Sequence, residues 1–389
     1  MKILQVIPFF TPKRGGSVES AYKFSIELAN RGHDITLITT DFELDEKFIN
    51  FVEKKDIKII PFKCKKNWGL FLYSPKMKKW VKKNIRNFDV INFHNFRSYQ
   101  NNITSIYAKK YNIPYVLHAH GSLPRIMNMQ NLKLIYDIIF GYRLLKGASK
   151  VVATSSIEMQ QYIKMGLSIK DIVLIPNGIN LMEYNQLPCE GYFRKKFCLD
   201  INEKLILYIG RIHKIKGIDV LIKAFYITST KMKNIKLAIV GPNDGYLNEI
   251  RRLINSLHLE DKVIITGPLY GIEKHQAYVD TDIVVLPSRY EIFGIVILES
   301  YACSKPVIAT KVSGLGEMVL NGKTGLLVTP CNIDELSSAI LNMMYDESGR
   351  NKMGVEARKF VEENFSIKNA TDKLEDLYSS IINARAYKI

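Results

Sequence analysis

Short apolar runs alternate with helical patterns along the whole of this 389-residue chain. The first run, residues 2–10, is followed by Gly15 and Gly16, and then by apolar positions three and four residues apart as far as Gly32. Such alternation predicts strands of a parallel sheet covered by helices on both faces. Further buried strands are predicted at residues 34–40, 88–94, 115–120, 150–155 and 172–180.

A second series of strand-like runs follows a segment without periodicity that contains Pro188 and Gly191. These runs lie at residues 204–210, 236–241, 262–267, 282–288, 306–310 and 324–328. The chain is too long for one hydrophobic core, so we expect two doubly wound, Rossmann-like α/β domains. We predict an N-terminal domain over 1–181, a C-terminal domain over 182–368, and a helix over 369–389 that crosses back to the N-terminal domain.

Composition narrows the class of protein. With 47% hydrophobic and 24% charged residues the chain is globular, and no run has the length needed to span a bilayer. Pro8 and Pro12 interrupt the apolar start, which predicts a buried strand rather than a signal peptide. Five cysteines, an odd number without C-x-x-C spacing, predict reduced thiols in a cytosolic protein and no zinc or disulfide framework.

The net charge is +17, and most of the surplus falls within residues 1–190. Such a field attracts nucleic acid, anionic lipid head groups or phosphorylated substrates, although a solvated lysine-rich surface is an equal alternative. Residues 63–86 are the extreme case, because they hold many cations and no acid. Their interleaved aromatic residues are Trp68, Phe71, Tyr73 and Trp80.

A helix is predicted within this basic segment, with Ser74 as its N-cap. Its apolar face would consist of Met77, Trp80, Val81 and Ile85, and its lysines would form the other face. The helix would either pack as an ordinary surface element or dock on an anionic membrane. Aromatic residues among lysines also fit single-stranded nucleic acid, but no recognisable nucleic-acid-binding fold supports that interpretation.

Two cations follow the strand predicted at 204–210. Arg211 comes directly after it, and Lys216 precedes a glycine that opens the next helix. Ligands of doubly wound sheets bind at the carboxyl ends of strands, where helix amides collect. Two cations in one such loop suit a diphosphate, while a solvated loop is the alternative.

Two glutamates flank an apolar run after the strand predicted at 282–288. Glu291 lies in the loop, and Glu299 lies inside the following helix. Between them, Gly294 would let a ligand approach the backbone. A carboxylate such as Glu299 can accept two hydrogen bonds from a vicinal diol, for example a ribose, and Glu291 could do the same for another sugar ring. The alternatives are a buried glutamate paired with a cation and one that faces solvent.

Several motifs together resemble those of a known family. In order they are "GRIHKIKG", "EIFGIVILE" (a Glu-x7-Glu element), "KPVIAT" and "EMVLNGKTGLLV". This series resembles the retaining family-4 glycosyltransferases, which have the GT-B fold of two Rossmann-like domains and an interdomain cleft. Gly15-Gly16 is similar to the family's N-terminal glycine loop, "IPNGIN" to its domain junction, and "HAHGSL" to its cleft histidine segment. The similarity therefore runs through nearly the whole chain.

The resemblance implies a role for each matching residue. Arg211 and Lys216 would neutralise the donor diphosphate and stabilise it as a leaving group. Glu299 would bind the ribose, and Glu291 hydroxyls of the transferred sugar. The amides of Phe293, Gly294 and Ile295 would add contacts to the sugar and the phosphates. The loop at 266–271, which contains Leu269, would read the base through its backbone. Gly15 and Gly16 would let the N-terminal loop close over the donor.

Three histidines fall in the part that resembles the cleft. His120 would reach the sugar near its anomeric carbon, and His94 would line the acceptor side. His118 is better interpreted as structural. Departures from the family pattern are Ser304 and Ser313, where glycine is usual, and Gly316, where proline is common.

The pair Asp280-x-Asp282 resembles the metal-binding Asp-x-Asp of the other large glycosyltransferase fold, GT-A. Here Asp282 begins a predicted strand, and the family resemblance makes both acids structural. No metal and no cofactor is therefore expected, because the Arg211 and Lys216 loop would take over the role of a divalent cation.

The implied function is a retaining hexosyltransferase that moves a sugar from a UDP- or GDP-linked donor to an acceptor hydroxyl. Its acceptor would be a polysaccharide, a lipopolysaccharide or a lipid-linked glycan. The enzyme would be cytoplasmic and peripheral on the inner face of the membrane through residues 63–86, with no nucleic-acid partner. The rival functions are a GT-B sugar-nucleotide epimerase and a basic nucleic-acid-binding protein.

Overall fold

The structure is a computed structural model that describes residues 1–68, 71–126, 129–312 and 314–386. The chain divides into two compact units. One consists of Met1–Gly178 together with Ile367–Ile389, and the other of Ile179–Ser366. These bounds lie slightly before the predicted ends at 181 and 368, and the last three residues of the predicted 369–389 segment lie outside the described residues.

The first unit is built on a parallel sheet and a separate hairpin. Its strands are β1 (Lys2–Val6), β2 (Asp34–Thr40), β3 (Ile57–Phe62), β4 (Lys66–Trp68), β5 (Phe71–Tyr73), β6 (Val90–His94), β7 (Tyr115–His118), β8 (Lys150–Ala153) and β9 (Ile172–Leu174). The sheet has the order β3-β2-β1-β6-β7-β8-β9, and β4 and β5 form the antiparallel hairpin.

The helices of the first unit cover both faces of this sheet. They are α1 (Gly16–Asn30), α2 (Glu46–Glu53), α3 (Pro75–Asn84), α4 (Tyr99–Lys110), α5 (Gln130–Tyr136), α6 (Tyr142–Gly147) and α7 (Ser156–Lys164), with a π-helical turn, Asp137–Gly141, between α5 and α6. A long helix at Ile367–Ala386 completes the unit. Its residues Leu374, Leu377, Tyr378 and Ile381 are buried in the same core as Ile3 and Phe24.

The second unit has a six-stranded parallel sheet. Its strands are β10 (Lys204–Ile209), β11 (Ile235–Val240), β12 (Val263–Gly267), β13 (Ile283–Leu286), β14 (Val307–Thr310) and β15 (Gly325–Val328). Its helices are α8 (Tyr192–Lys196), α9 (Ile218–Lys231), α10 (Leu247–Ser256), α11 (Ile272–Asp280), α12 (Ile295–Ala302), α13 (Leu315–Met318), α14 (Ile333–Tyr345) and α15 (Glu347–Asn364), and the helix at Ile367–Ala386 is therefore α16.

The strand order of the second sheet, β12-β11-β10-β13-β14-β15, reverses direction between β10 and β13. This is the order of a doubly wound Rossmann sheet, in which ligands bind outside the carboxyl ends at the point of reversal. The loops after β10 and β13 hold Arg211, Lys216 and Glu291. Sequence position and topology therefore bring the predicted donor-binding residues to the same edge of the sheet.

Among the helices given above, none combines the length and the apolar character that crossing a lipid bilayer requires.

Candidate functional site

The loops that follow β10 and β13 lie against each other. Gly217 has a φ of +68°, and a Cβ added to it would lie 2.0 Å from the carbonyl oxygen of Pro287. The Arg289 N–H donates to the Ile215 carbonyl over 2.8 Å. Glycine at position 217 is thus required both by the backbone conformation and by the close approach of the neighbouring loop.

A bidentate ion pair fixes the two loops further. The Arg289 guanidinium donates to both carboxylate oxygens of Asp219, over 2.8 and 2.7 Å, and also to the Lys214 carbonyl oxygen over 2.7 Å. Burial is the largest single influence and would raise the pKa of Asp219, but the hydrogen bonds and charge of Arg289, a backbone N–H and the charge of Lys223 together lower it. This carboxylate therefore stays charged, and the loop that carries Lys216 is held by charge-assisted hydrogen bonds.

The predicted cations each contact a carboxylate. Lys216 donates its Nζ to Glu291 Oε2, although the two residues are 75 positions apart in the sequence. Arg211 pairs with Asp244, with 2.5 Å between Nη1 and Oδ2. The structure thus brings Lys216 and Glu291 together.

Glu299 is 2% exposed and lies in α12. Its carboxylate accepts a hydrogen bond of 2.8 Å from the Tyr278 hydroxyl and contacts Lys274 Nζ, and both partners come from α11. Burial and the nearby Glu299 carboxylate raise the pKa of Tyr278 well above its ordinary value, so its hydroxyl remains a donor. One alternative from the sequence, a glutamate paired with a cation, therefore describes both Glu291 and Glu299 here.

The Phe-Gly turn before α12 is tightly packed. A Cβ on Gly294 would lie 2.9 Å from Leu315 Cδ2, and the Gly294 N–H faces Met318 Sδ at 3.3 Å. Phe293 is half-buried and packs edge-on against Phe365, while Ile295 is buried where the helix begins. A larger residue at position 294 would therefore require the ends of the Leu315 and Ile297 side chains to shift.

Leu269, predicted in the base-reading loop, is buried in the core of its unit. It lies between Gly267 and Gly271, whose φ angles are +77° and +54°. The loop 266–271 therefore exposes backbone groups more than its central side chain. This geometry is compatible with recognition by backbone hydrogen bonds, and the role stays a prediction.

Three histidines of the first unit, His94, His118 and His120, form one contiguous cluster. His94 ends β6, His118 ends β7, and His120 follows in the loop with a φ of +49°. His94 Nδ1 is 2.9 Å from His120 Nε2, and His94 Nε2 is 2.8 Å from Gln5 Oε1. The rings of His94 and His120 are nearly parallel.

This chain of contacts assigns protons to the rings. With the Gln5 amide oriented as in the structure, its carbonyl oxygen accepts from His94 Nε2–H, and His94 Nδ1 then accepts from His120 Nε2–H. His120 Nδ1 is then left as an acceptor. His94 is fully buried, so it would act on an acceptor through His120 rather than by direct contact.

Two residues that the sequence reasoning missed hold the His120 loop. The N–H of Ala119 donates to the Tyr162 hydroxyl over 3.0 Å, and the N–H of Gly121 donates to Glu158 Oε1 over 2.7 Å. The signal for Glu158 was a capping-box pattern with Ser155, whose hydroxyl accepts from the Glu158 N–H. That motif predicts a helix start at this position, but not the contact with a loop 37 residues earlier.

A pH dependence of stability follows from this cluster. Burial lowers the pKa of His94 and His118 well below the ordinary value, and that of His120 to about 4. The unfolded chain takes up these protons near its pKa of about 6.5, so stability is present above that pH and is lost as the pH falls towards 4. Each ring contributes a slope of about 1.4 kcal/mol per pH unit.

The measurement is the unfolding temperature of the first unit between about pH 7.5 and 4.5. His118 is the residue to change, because its ring nitrogens have no hydrogen-bond partner within the part of the chain described. His118→Leu should flatten the loss at low pH. Identical pH profiles for this variant and the wild type would contradict the assignment.

Gly15 and Gly16 join a short 3-10 helix, Pro12–Arg14, to α1. Gly15 has a φ of +73°, and a Cβ on it would meet nothing within 4 Å. Glycine here serves backbone conformation rather than tight packing. The preceding Arg14 donates to Glu43 over 2.9 and 2.6 Å, which anchors the entrance of the loop.

Models of known protein families match most of the sequence. The model described as "Glycosyltransferase Family 4" matches residues 14–183, and the model described as "Glycosyl transferases group 1" matches residues 192–360. Together the two models match most of the chain, one in each unit. This chain belongs to the group 1 glycosyl transferases.

Individual relatives extend over almost the full length of this glycosyltransferase. An uncharacterised glycosyltransferase of Methanocaldococcus jannaschii is 29% identical, with 97% of this chain and 98% of that protein covered. The N-acetyl-alpha-D-glucosaminyl L-malate synthase of Bacillus anthracis is 24% identical, with 95% of each chain covered.

A solved structure shows the same fold. HepE of Anabaena, crystallised with UDP and glucose, superimposes with a TM-score of 0.83 at 22% identity, covering 98% of this chain and 100% of that chain. The two doubly wound units of this glycosyltransferase therefore have the GT-B fold.

Asp280 and Asp282 of this glycosyltransferase have structural partners. Asp280 accepts from the N–H groups of Gly191 and Arg194, over 2.6 and 2.9 Å, and so caps α8. Asp282 accepts from the Leu205 N–H over 2.8 Å and pairs with Arg350 at 3.1 Å. In the described ranges, no group of three or more His, Cys, Asp or Glu side chains could hold a metal ion.

The three positions at which the glycosyltransferase departs from the family pattern lie in different local structures. Ser304 adopts a φ of +56°, a conformation that glycine takes more easily. Gly316 lies within α13. Ser313 lies outside the described residues, so its effect on the loop before α13 stays a prediction.

Proposed function

We propose that this enzyme is a retaining hexosyltransferase. Its donor would be a UDP- or GDP-linked hexose, and its acceptor a hydroxyl of a polysaccharide, a lipopolysaccharide or a lipid-linked glycan. One observation carries the proposal. The Lys216–Glu291 pair lies where the loops after β10 and β13 meet, which supports a site in which Lys216 would bind the diphosphate and Glu291 the adjacent sugar. The UDP and glucose in the crystal structure of HepE support a donor of this class.

The proposed reaction begins with cleavage of the bond between the anomeric carbon and the diphosphate. Arg211 and Lys216 stabilise the negative charge that develops on the leaving group. The acceptor hydroxyl attacks the same face of an oxocarbenium-like sugar, and the donor phosphate takes its proton. His120, with its Nδ1 as an acceptor, orients a sugar hydroxyl near the anomeric carbon. No protein nucleophile takes part.

A panel of UDP- and GDP-linked hexoses, read by thermal shift, tests the donor class. Donor at about one hundred times its Kd should stabilise the protein by about 2.7 kcal/mol. NMR of the product then reports whether the anomeric configuration is kept. An inverted product would refute retention, and conversion of the sugar nucleotide without any acceptor would favour the epimerase. Salt-sensitive binding to DNA without turnover would favour the nucleic-acid-binding protein.

Replacing Glu299 with glutamine should mainly weaken donor binding. The amide keeps the shape of the side chain but removes the carboxylate that would accept from both ribose hydroxyls, so we expect Kd for UDP or GDP to rise roughly tenfold to a hundredfold. Titration calorimetry with the free nucleotide gives this value. The matched control is Glu317→Gln in α13, which should leave Kd unchanged. Equal affinities of the Glu299 variant and the wild type would remove Glu299 from the ribose site.

Metal chelation should leave transfer undiminished. Arg211 and Lys216 supply the positive charge that a divalent cation supplies in GT-A enzymes. The measurement is the rate of transfer before and after dialysis against EDTA, with magnesium or manganese added back. Loss of transfer that either ion restores would return Asp280 and Asp282 to consideration as ligands.

We also propose that residues 63–86 hold the enzyme at an anionic membrane surface, which is the membrane part of the proposed function. In the structure Met77, Val81 and Ile85 are buried and Trp80 packs on Phe62. Ser74 precedes α3 as predicted, but its hydroxyl donates to the Lys63 carbonyl instead of capping the helix. Gly69 and Leu70 of this segment lie outside the described residues. The apolar face of α3 is therefore used for packing, which leaves the exposed lysines for a charged partner.

A further inference from the structure

A group of exposed apolar side chains follows the histidine loop in the first unit. Helix α5 and the π-helical turn after it, residues 129–141, are here called the apolar ridge. Its members include Met129, Leu132, Ile135, Ile138, Ile139 and Phe140, with exposed fractions between 43% and 62%. Isolated exposed apolar residues are ordinary, but such a concentration within a dozen residues marks an interaction surface.

Two polar side chains of the ridge, those of Tyr136 and Asp137, point inward. Asp137 is fully buried, and it accepts two hydrogen bonds of 2.8 Å from Arg97 and one of 2.9 Å from Arg125. The Tyr136 hydroxyl donates to Asn102 Oδ1 over 2.7 Å. Tyr136 and Asp137 therefore anchor this segment to the unit, while the apolar side chains of the ridge face solvent. This is the reverse of an ordinary surface helix, whose apolar stripe faces the core.

The ridge is continuous with the hairpin of the basic segment. Phe71 of β5 packs edge-on against Tyr136, with 6.4 Å between ring centroids, and Tyr136 lies 5.6 Å from Phe140. Phe71 also contacts Trp68, which is 58% exposed. Aromatic side chains thus connect the hairpin of β4 and β5 with the apolar ridge, although the two segments are far apart in the sequence.

The charge next to the ridge limits what can cover it. The cations of residues 63–86 are all exposed, and no acid lies among them. A second copy of the chain would present the same positive charge and be repelled. A nucleic acid would satisfy the cations but leave the aliphatic ridge in water. A bilayer with anionic head groups satisfies both, because apolar side chains enter the acyl boundary while lysines remain at the phosphates.

We propose that the apolar ridge and the lysines of residues 63–86 together form a docking surface for an anionic lipid bilayer. The ridge supplies the inserted side chains and α3 supplies the charge. This extends the membrane part of the proposed function and does not depend on the transfer reaction.

Vesicle co-sedimentation of the full chain tests the proposal. The wild type should bind phosphatidylcholine vesicles that contain about 30% phosphatidylglycerol, bind pure phosphatidylcholine weakly, and lose affinity in about 0.5 M NaCl. The double variant Ile138→Ser with Ile139→Ser should bind the anionic vesicles about tenfold more weakly. Its matched control, Ile106→Ser with Ile169→Ser, removes similarly exposed isoleucines elsewhere in the same unit and should bind normally.

Charge variants test whether the lysines of residues 63–86 contribute to the docking surface. Lys78→Gln with Lys79→Gln on α3 should weaken binding by roughly tenfold or more, whereas Lys54→Gln with Lys55→Gln should change it little. Stabilisation of every variant by the nucleotide sugar that stabilises the wild type shows that the fold is kept. If no nucleotide sugar stabilises the wild type, the donor proposal fails. The docking proposal is then still tested, because vesicle binding is measured without a donor.

Three results would overturn the docking proposal. The first is absence of wild-type binding to anionic vesicles, and the second is equal binding by the ridge variant. The third is a wild type that dimerises as its concentration rises, measured by light scattering, together with a ridge variant that no longer dimerises but binds vesicles as before. That last result would assign the ridge to self-association.

Discussion

Lys216→Ala is expected to lower kcat/KM by about 10²–10³ without unfolding the protein. Under the proposed function, Lys216 neutralises charge that grows on the diphosphate as the sugar leaves, so its removal should act mostly on the transition state. Arg211→Ala should have a similar effect from the opposite end of the same loop. The measurement is release of UDP or GDP from the donor that the nucleotide-sugar panel identifies.

The matched control for this experiment is Lys214→Ala. Lys214 lies in the same short helical turn as Lys216, but its side chain is exposed, and it is its carbonyl oxygen that accepts from Arg289 and from the Gly217 N–H. We expect its kcat/KM to stay within about twofold of the wild type, because a solvated charge there is screened. Near-normal turnover by both Lys216→Ala and Arg211→Ala would refute the phosphate assignment.

Gly217→Ala is expected to lower the free energy of unfolding of the second unit by roughly 2–5 kcal/mol. The substitution combines a left-handed backbone with a Cβ placed 2.0 Å from the Pro287 carbonyl oxygen, so the loops after β10 and β13 must separate. Thermal unfolding of the second unit gives the loss, and nucleotide binding should weaken with it because Lys216 and Glu291 move apart.

Gly245→Ala separates strain from steric conflict. Gly245 also has a positive φ, +84°, but a Cβ there would meet nothing within 4 Å. Its expected loss is only about 1 kcal/mol, the cost of the left-handed conformation alone. Losses of the same size in the two variants would mean that the contact with Pro287 does not hold the loops together.

Most of the fold could be predicted from periodicity, and the exceptions have physical causes. The strand at Ile57–Phe62 was missed because Pro61 interrupts it. β3 lies at the edge of the sheet and pairs only with β2, which is where proline is tolerated in a strand. The hairpin of β4 and β5 was also missed, because each strand has three residues and no clear alternation.

The sequence predicted which loop or helix each candidate residue lies in, but not which side chains it contacts. Spacing after predicted strands identified Arg211, Lys216, Glu291 and Glu299 as ligand-facing candidates. It could not reveal that Tyr278 and Lys274 hold Glu299, or that Arg289 and Asp219 join the two loops, because those partners depend on how helices pack on the sheet. The apolar ridge was missed for a related reason. A helical pattern of apolar residues predicts a buried face, and only the buried Asp137 reveals that the helix is turned outward.

The long helix α16 has a consequence for synthesis on the ribosome. It contributes Leu374, Tyr378 and Ile381 to a core whose other residues are mostly translated before position 180. The sheet of the first unit therefore emerges early but lacks part of its packing until the whole second unit has been made. During that interval the nascent first unit exposes apolar surface that α16 later covers, and it would be a substrate for chaperones. The unit that begins first is completed last.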